Sequence, residues 1–159
     1  DQGSTVSTDP IGAFYTAFTA SDGDAMAACY AQDVVFEDPA FGRLLGPEAG
    51  DMWRMLCGGS GSPRVTFEVL ERTPSSAVVR WSADYRFGPA ARPVHNEVTS
   101  RLRLRDGLIA EHRDEFDFWR WSSQALGLPG RLLGWTPMLR AKVRSGARER
   151  LAAYRSHAG

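Results

Sequence analysis

The sequence of 159 residues has no apolar run of transmembrane length, no excess of charge of either sign and only two cysteines. A membrane-spanning helix needs about 20 consecutive apolar residues, so no membrane span is expected. Because 19 Lys and Arg residues balance 19 Asp and Glu residues, bulk charge gives no reason to expect a nucleic-acid partner. Cys29 and Cys57 lack metal-ligand and CxxC spacing, which favours buried free thiols in a reducing compartment. With no signal-peptide core at its start, the chain is expected in the cytoplasm.

Motifs that hold cofactors and metals are also missing. The sequence contains no GxGxxG after a strand, no P-loop and no GxSxG elbow. His95, His112 and His157 are too scattered to predict a metal site. We therefore expect neither a cofactor nor a metal.

Helical periodicity dominates the first third of the chain. Asp9 and Pro10 form a helix start signal, and a third helix is predicted from Pro47 to Cys57. The apolar positions repeat at helical spacing in the first helix (Ile11, Phe14, Tyr15, Phe18) and in a second short stripe (Met26, Cys29, Tyr30).

Strand periodicity follows. A short strand is predicted from Val34 to Asp38, and from Arg64 onwards apolar and polar residues alternate. Half-buried strands are predicted around Val65, Phe67 and Val69, over Ala77–Phe87, over Val94–Leu104 and over Leu108–Phe118, the last two joined by the hairpin signal Asp106-Gly107. Helices followed by hairpin-linked strands indicate an α+β fold in which helices cover one face of a curved antiparallel sheet. We expect one domain over residues 1–159, with a core at about 10–120 and a helical extension at about 121–156.

Asp38 ends the first predicted strand and is the first candidate for acid/base chemistry. Val34, Phe36 and Asp38 share one face by strand parity, so Asp38 faces the core if Phe36 does. Desolvation on an apolar face disfavours the charged carboxylate and suits it to proton transfer. The alternative is an aspartate that only caps a turn before Pro39.

Polar residues also fall on the apolar faces of the last two strands. Asn96 and Ser100 share a face with valines and leucines, and His112 and Asp114 share one with Phe116. An unpaired polar group buried there would cost about 1–3 kcal/mol, so these residues need partners or a ligand. They are predicted to converge with Asp38 on one site. The alternatives are a core histidine with satisfied hydrogen bonds and an aspartate that only orients it.

Aromatic residues accompany this polar group. Each fits core packing when taken alone, but together they describe the wall of a wide cavity: Trp53, Trp81, Tyr85, Phe116 and Phe118.

Four segments of the chain resemble one known superfamily. They are Phe14–Phe18, Ser21–Met26, Cys29–Pro39 and Asp106–Asp114. These segments are similar to the nuclear-transport-factor-2-like superfamily, and more narrowly to its SnoaL-like and ketosteroid-isomerase-like branches. The resemblance implies a cone, the cystatin-like α+β roll, in which a bent sheet wraps around N-terminal helices and encloses an apolar pocket. It also implies frequent dimerisation through the sheet.

The resemblance assigns roles to single residues. Asp38 matches the base of the ketosteroid isomerases, but the positions of their oxyanion-hole donors fall at Phe14, one residue from Tyr15, and near Ser100, which makes steroid isomerisation doubtful. The SnoaL-like branch fits better, with Asp38 or Asp114 as base and His112, Tyr15 or Tyr30 as donor. The ligand contacts implied are Phe14, Tyr15, Tyr30, Trp53, Trp81, Asn96, Ser100 and Phe116. Two functions remain open. The first is a cofactor-independent isomerase, cyclase or hydrolase that acts on an apolar, polycyclic or polyketide-like molecule. The second is a non-catalytic domain that binds a ligand or another protein.

The C-terminal segment permits two interpretations. A helix that begins at Thr136-Pro137 carries an apolar stripe (Trp135, Leu139, Val143, Ala147, Leu151) beside many arginines. It would either lie on an anionic membrane or acidic partner, or pack over the pocket mouth or a dimer seam. The preceding apolar stretch from Leu126 to Trp135 is a candidate lid.

Overall fold

The computed structural model describes residues 9–59 and 63–158. This part of the chain contains six helices and six strands. They are α1 (Pro10–Thr19), α2 (Gly23–Ala28), β1 (Tyr30–Asp38), β2 (Gly42–Leu45), α3 (Pro47–Gly58), β3 (Arg64–Thr73), β4 (Ser76–Phe87), β5 (Arg92–Arg105), β6 (Leu108–Glu115), α4 (Phe118–Leu126), α5 (Leu128–Leu133) and α6 (Pro137–Ala158). The elements β2, α4 and α5 were not predicted, and the order of the other elements is the predicted one.

The strands form one curved sheet in the order β2-β1-β6-β5-β4-β3. All neighbouring strands are antiparallel except β1 and β6, which pair in parallel. Helices α1 and α3 cover the inner face, where Phe14 and Trp53 meet edge to face at 5.8 Å. The predicted α+β cone and its additional C-terminal helix are confirmed.

Local signals explain where the first elements begin. The Asp9 carboxylate accepts a hydrogen bond from the Ile11 amide at 3.1 Å and so caps α1, and Asp22 caps α2 in the same way through Ala25. Asp106 and Gly107 have φ values of 55° and 77°, the left-handed conformation that the tight β5–β6 hairpin requires.

Three predicted details were wrong. Tyr30 begins strand β1 instead of closing the second helix. Strand β6 ends at Glu115, and Phe118 begins helix α4 because Asp117 caps that helix through the Arg120 amide at 3.0 Å. Val69 is exposed, because β3 is an edge strand whose register shifts after this residue.

The C-terminal helix packs against the domain. Ala147 and Leu151 of α6 are buried, and the Arg148 guanidinium donates hydrogen bonds of 3.0 Å to the carbonyls of Phe41 and Arg43. Trp135 lies before the helix and is exposed, so it does not belong to the apolar stripe that was predicted to include it. Among the described residues, no helix is long and apolar enough to cross a membrane.

Candidate functional site

A cavity of about 370 Å³ lies between the inner face of the sheet and helices α1, α3, α4 and α6. Aromatic and aliphatic side chains form most of its wall. Its polar groups are few: Asp38, Tyr85, Arg86, Asn96, Asp114 and Arg150. A concave apolar pocket with a small number of converging polar groups is the usual form of a small-molecule site.

Asp38 stands at the end of β1 and has two different carboxylate oxygens. Oδ1 accepts hydrogen bonds from the backbone amides of Ala40 at 3.0 Å and Phe41 at 2.6 Å. Within residues 9–59 and 63–158, both of these hydrogen bonds go to Oδ1 and none goes to Oδ2, and Asp38 is one of the residues that line the cavity. The residue therefore caps the turn, as the simpler interpretation held, and also belongs to the wall of the pocket.

The environment of Asp38 favours its protonated form. Burial among apolar groups, together with the nearby charge of Asp114, raises the pKa of this carboxyl to about 7. The amides of Phe41 and Ala40 and the guanidinium of Arg144 oppose the shift only in part. A carboxyl that titrates near neutral pH can both accept and return a proton.

Three residues of the cavity wall and three residues buried behind it form one hydrogen-bonded network of six side chains. The Trp53 indole donates to the Tyr30 hydroxyl at 2.8 Å, which contacts His112 Nδ1 at 2.8 Å, and His112 Nε2 contacts Asp114 Oδ1 at 2.7 Å. From the other side the Trp81 indole donates to Ser100 at 2.8 Å, and Ser100 donates to the same oxygen of Asp114.

One arrangement of protons gives every donor of the network an acceptor. In it the Tyr30 oxygen accepts from Trp53 and its own proton is donated to His112 Nδ1. The proton on His112 Nε2 is then donated to Asp114. Asp114 thus receives two hydrogen bonds on Oδ1 and is also one of the residues that line the cavity.

The structure divides the predicted site residues into two layers. Six lie on the cavity wall: Asp38, Trp53, Trp81, Asn96, Asp114 and Phe116. The other five are buried behind the wall: Phe14, Tyr15, Tyr30, Ser100 and His112. Of the three residues predicted to be catalytic, His112 and Asp114 are buried and Asp38 is half-buried. The sequence argument could not distinguish the two layers because parity identifies a face and not a depth.

Tyr15, one of the residues behind the wall, differs from the network residues in its hydrogen bonding. Its hydroxyl is buried without a hydrogen-bond partner among the described residues. Burial, together with the charge of Asp114, raises the pKa of Tyr15 well above its usual value, so the hydroxyl keeps its proton. Ser100 is close enough to oppose this shift without making a well-formed hydrogen bond.

Among the wall residues that were not predicted as catalytic or ligand-binding, three stand out for their chemistry. Tyr85 comes from β4, Trp121 from α4 and Arg150 from α6. The Tyr85 oxygen accepts a hydrogen bond of 2.8 Å from the Trp121 indole, and burial raises the pKa of Tyr85 to about 12. Its own proton has no acceptor in the described part of the chain and is available to a ligand. The sequence analysis placed Tyr85 on the aromatic wall of a cavity but gave its hydroxyl no role, and Phe118, predicted on the same wall, is buried but does not line the cavity. The candidate lid, Leu126–Trp135, contributes no residue to the wall, and α6 borders the cavity instead.

The pKa of Asp38 predicts a stability that depends on pH. The pKa of Asp38 is about 7 in the folded state and 3.8 at its ordinary value. Below pH 4 the carboxyl is protonated in both states and does not reduce the free energy of unfolding. As the pH rises, ionisation favours the unfolded state, and this loss of stability grows until the pH exceeds about 7. Asp38→Asn keeps the Oδ1 acceptor and removes this loss of stability. In urea unfolding, the free energy of unfolding of the variant minus that of the wild type should rise by roughly 2–4 kcal/mol from pH 5 to pH 9. Equal differences in stability at both pH values would contradict a raised pKa.

Comparison with known proteins identifies the family. The model of the SnoaL-like domain matches residues 11–112, which is more than half of the chain. No curated protein matches the chain in sequence.

Solved structures show the same fold at low sequence identity. A protein with a ketosteroid isomerase-like fold from Catenulispora acidiphila, in complex with trimethylamine, has a TM-score of 0.65 at 21% identity, over 81% of this chain and 98% of that one. An LEH-like epoxide hydrolase of M. tuberculosis gives 0.58 at 22% identity, over 78% and 92%. A protein designated a polyketide cyclase, from Xanthomonas campestris, gives 0.63 at 19% identity, over 73% and 93%. The chain belongs to the SnoaL-like domain family.

Proposed function

We propose that this protein is a cofactor-independent isomerase or cyclase that moves a proton on an apolar, polyketide-like carbonyl compound. The observation that carries the proposal is Asp38, a carboxyl with a pKa of about 7, on the wall of an aromatic-lined cavity. A cavity of about 370 Å³ is within the range that holds a small polycyclic molecule.

In the proposed reaction Asp38 is the base and Tyr85 is the hydrogen-bond donor. The Asp38 carboxylate removes a proton from the carbon next to the substrate carbonyl, and the Tyr85 hydroxyl donates to the oxygen that becomes an enolate. A donor aimed at such an oxygen typically contributes about 10²–10³ in rate. The protonated Asp38 then returns its proton to another carbon in an isomerisation, or to the alkoxide formed when the enolate attacks a second carbonyl in a cyclisation.

Asp114 has a supporting role in this proposal. Its charge raises the proton affinity of Asp38, and its hydrogen bonds to His112 and Ser100 fix its position. His112, whose ring nitrogens both have partners within the network, orients Asp114 and does not reach the substrate.

One observation favours a non-catalytic alternative. The side-chain donors of Trp53, Tyr30, Ser100 and Trp81 all have acceptors inside the network without a ligand, which is what a purely structural network requires. In that case the cavity only binds an apolar molecule, or the domain serves protein interaction.

Solvent-deuterium exchange separates the enzyme from the binding domain. Carbonyl-containing polycyclic compounds are incubated with the protein in deuterated buffer and analysed by mass spectrometry for deuterium beside the carbonyl. Exchange that depends on the wild-type protein supports proton transfer at carbon. Compounds that bind but show no exchange and no new product would contradict the proposal.

We also propose that residues 1–159 act as one cytoplasmic domain that forms a homodimer through its sheet. The helical extension supplies Trp121, Val143, Ala147 and Arg150 to the cavity wall, which supports treating it as part of the site. Strand β3 lies at the edge of the sheet and is exposed over most of its length, so a second copy of the chain could pair with it.

A further inference from the structure

The corner formed by α4, α5 and the start of α6 exposes many large apolar side chains. Trp135 is 72% exposed, Met138 80% and Leu128 64%. The complete group, termed the apolar corner below, comprises Trp119, Leu128, Leu132, Leu133, Trp135 and Met138. Such a concentration of exposed apolar groups on one protein surface marks an interaction site.

The indole N–H groups of both tryptophans in the apolar corner have hydrogen-bond acceptors within the protein. The Trp119 indole donates to the Arg131 carbonyl and the Trp135 indole to the Leu132 carbonyl, each at 3.0 Å. Because both N–H groups have partners inside the protein, transferring these rings from water to hydrocarbon leaves no donor unpaired. The first of these bonds also places Trp119 beside α5, so the apolar corner is continuous.

Charge around the apolar corner has one sign. The 31 residues from 118 to 148 contain no acidic residue and six basic ones: Arg120, Arg131, Arg140, Lys142, Arg144 and Arg148. Arg148 binds the carbonyls of Phe41 and Arg43, and Arg144 packs against Gly42. The other four basic residues are exposed and flank the apolar corner.

From this combination we propose that the apolar corner docks on the surface of an anionic lipid bilayer. Leucine, methionine and tryptophan side chains would enter the boundary between head groups and acyl chains, while Arg131 and Lys142 contact anionic head groups. A second copy of the chain fits less well, since two such corners placed face to face would oppose positive charge to positive charge. Because α6 also borders the cavity, docking would bring the pocket of a protein for apolar ligands close to the phase in which such ligands dissolve.

Vesicle flotation of the full chain tests the proposal. We expect the wild type to float with vesicles of phosphatidylcholine containing about 30% phosphatidylglycerol, and to be released by about 0.5 M NaCl. Leu132→Ser should lower the partition coefficient about tenfold, and Leu132→Ser/Trp135→Ser should abolish binding. Leu45→Ser is the matched control, because Leu45 is exposed to a similar degree (54% against 61% for Leu132) on strand β2, and it should bind within about twofold of the wild type.

Several results would overturn the proposal. They are failure of the wild type to float, equal binding to pure phosphatidylcholine, and equal losses for Leu45→Ser and Leu132→Ser. Light scattering gives a further criterion. The double variant should keep the mass of the wild type, and a mass reduced by half would assign the apolar corner to contact between two copies of the chain.

Discussion

Replacing Asp38 with asparagine is expected to lower turnover of a carbonyl substrate by about 10²–10⁴, the usual contribution of general acid/base catalysis. Asparagine has the same shape and can still accept hydrogen bonds from the Ala40 and Phe41 amides, but it cannot take a proton at neutral pH. Binding of the same compound should change by less than about tenfold, because the loss is confined to the transition state. Rates are measured by product formation or deuterium uptake, and affinity by titration of tryptophan fluorescence.

Asp106→Asn provides the matched control for this prediction. Asp106 undergoes the same chemical change on an exposed hairpin, at a positive φ that asparagine tolerates, and should leave the rate unchanged. In the wild type, kcat/KM should rise with pH and level off above about pH 7, because only ionised Asp38 acts as base. An Asp38→Asn variant with wild-type turnover would exclude Asp38 as the base.

Tyr85→Phe separates the donor from the base. It removes one hydroxyl from the cavity wall and should reduce the rate by about 10²–10³ without moving the pH at which kcat/KM levels off by more than about half a unit. A variant that loses affinity and rate equally would assign Tyr85 to binding alone.

The sequence predicted the parts of the site that depend on strand parity. Asp38, Asn96 and Asp114 were placed on the inner face from the alternation of their own strands, and all three line the cavity. This inference needs only local information, since neighbouring residues of a strand alternate between its faces.

Depth and tertiary neighbours could not be predicted in this way. His112 was placed on the correct face, but its position behind the wall depends on the rings of Phe14, Phe36 and Trp53, which three other elements supply. Arg150 reaches the wall only because α6 folds back over the domain, a contact between segments more than 60 residues apart for which a single sequence contains no pattern. The helix boundary at Phe118 was missed for a local reason, because Asp117 is a cap that interrupts an alternating pattern.

His112→Ala should destabilise the fold by about 3–5 kcal/mol, a large part of the 5–15 kcal/mol that holds a typical domain together. Three losses combine in this variant. The Tyr30 hydroxyl loses its acceptor, Asp114 Oδ1 loses one of its two donors, and the space that the imidazole filled between Phe14 and Phe36 becomes a cavity. Urea unfolding monitored by circular dichroism measures the difference.

His95→Ala is the control that distinguishes this network from an ordinary histidine contact. His95 also contacts two carboxylates, Asp84 at 2.8 Å and Glu97 at 3.2 Å, but on the exposed outer face of the same sheet. Water screens those pairs and replaces their hydrogen bonds, so the variant should lose less than about 1 kcal/mol. If His112→Ala cost no more than His95→Ala, the inner network would contribute no more than a surface ion pair, and Asp114 would need another source of its orientation. A large difference would show that the inner network stabilises the fold far more than a surface ion pair does. Because the charge of Asp114 raises the pKa of Asp38, a His112→Ala variant that displaces Asp114 should also lower the pH at which kcat/KM levels off.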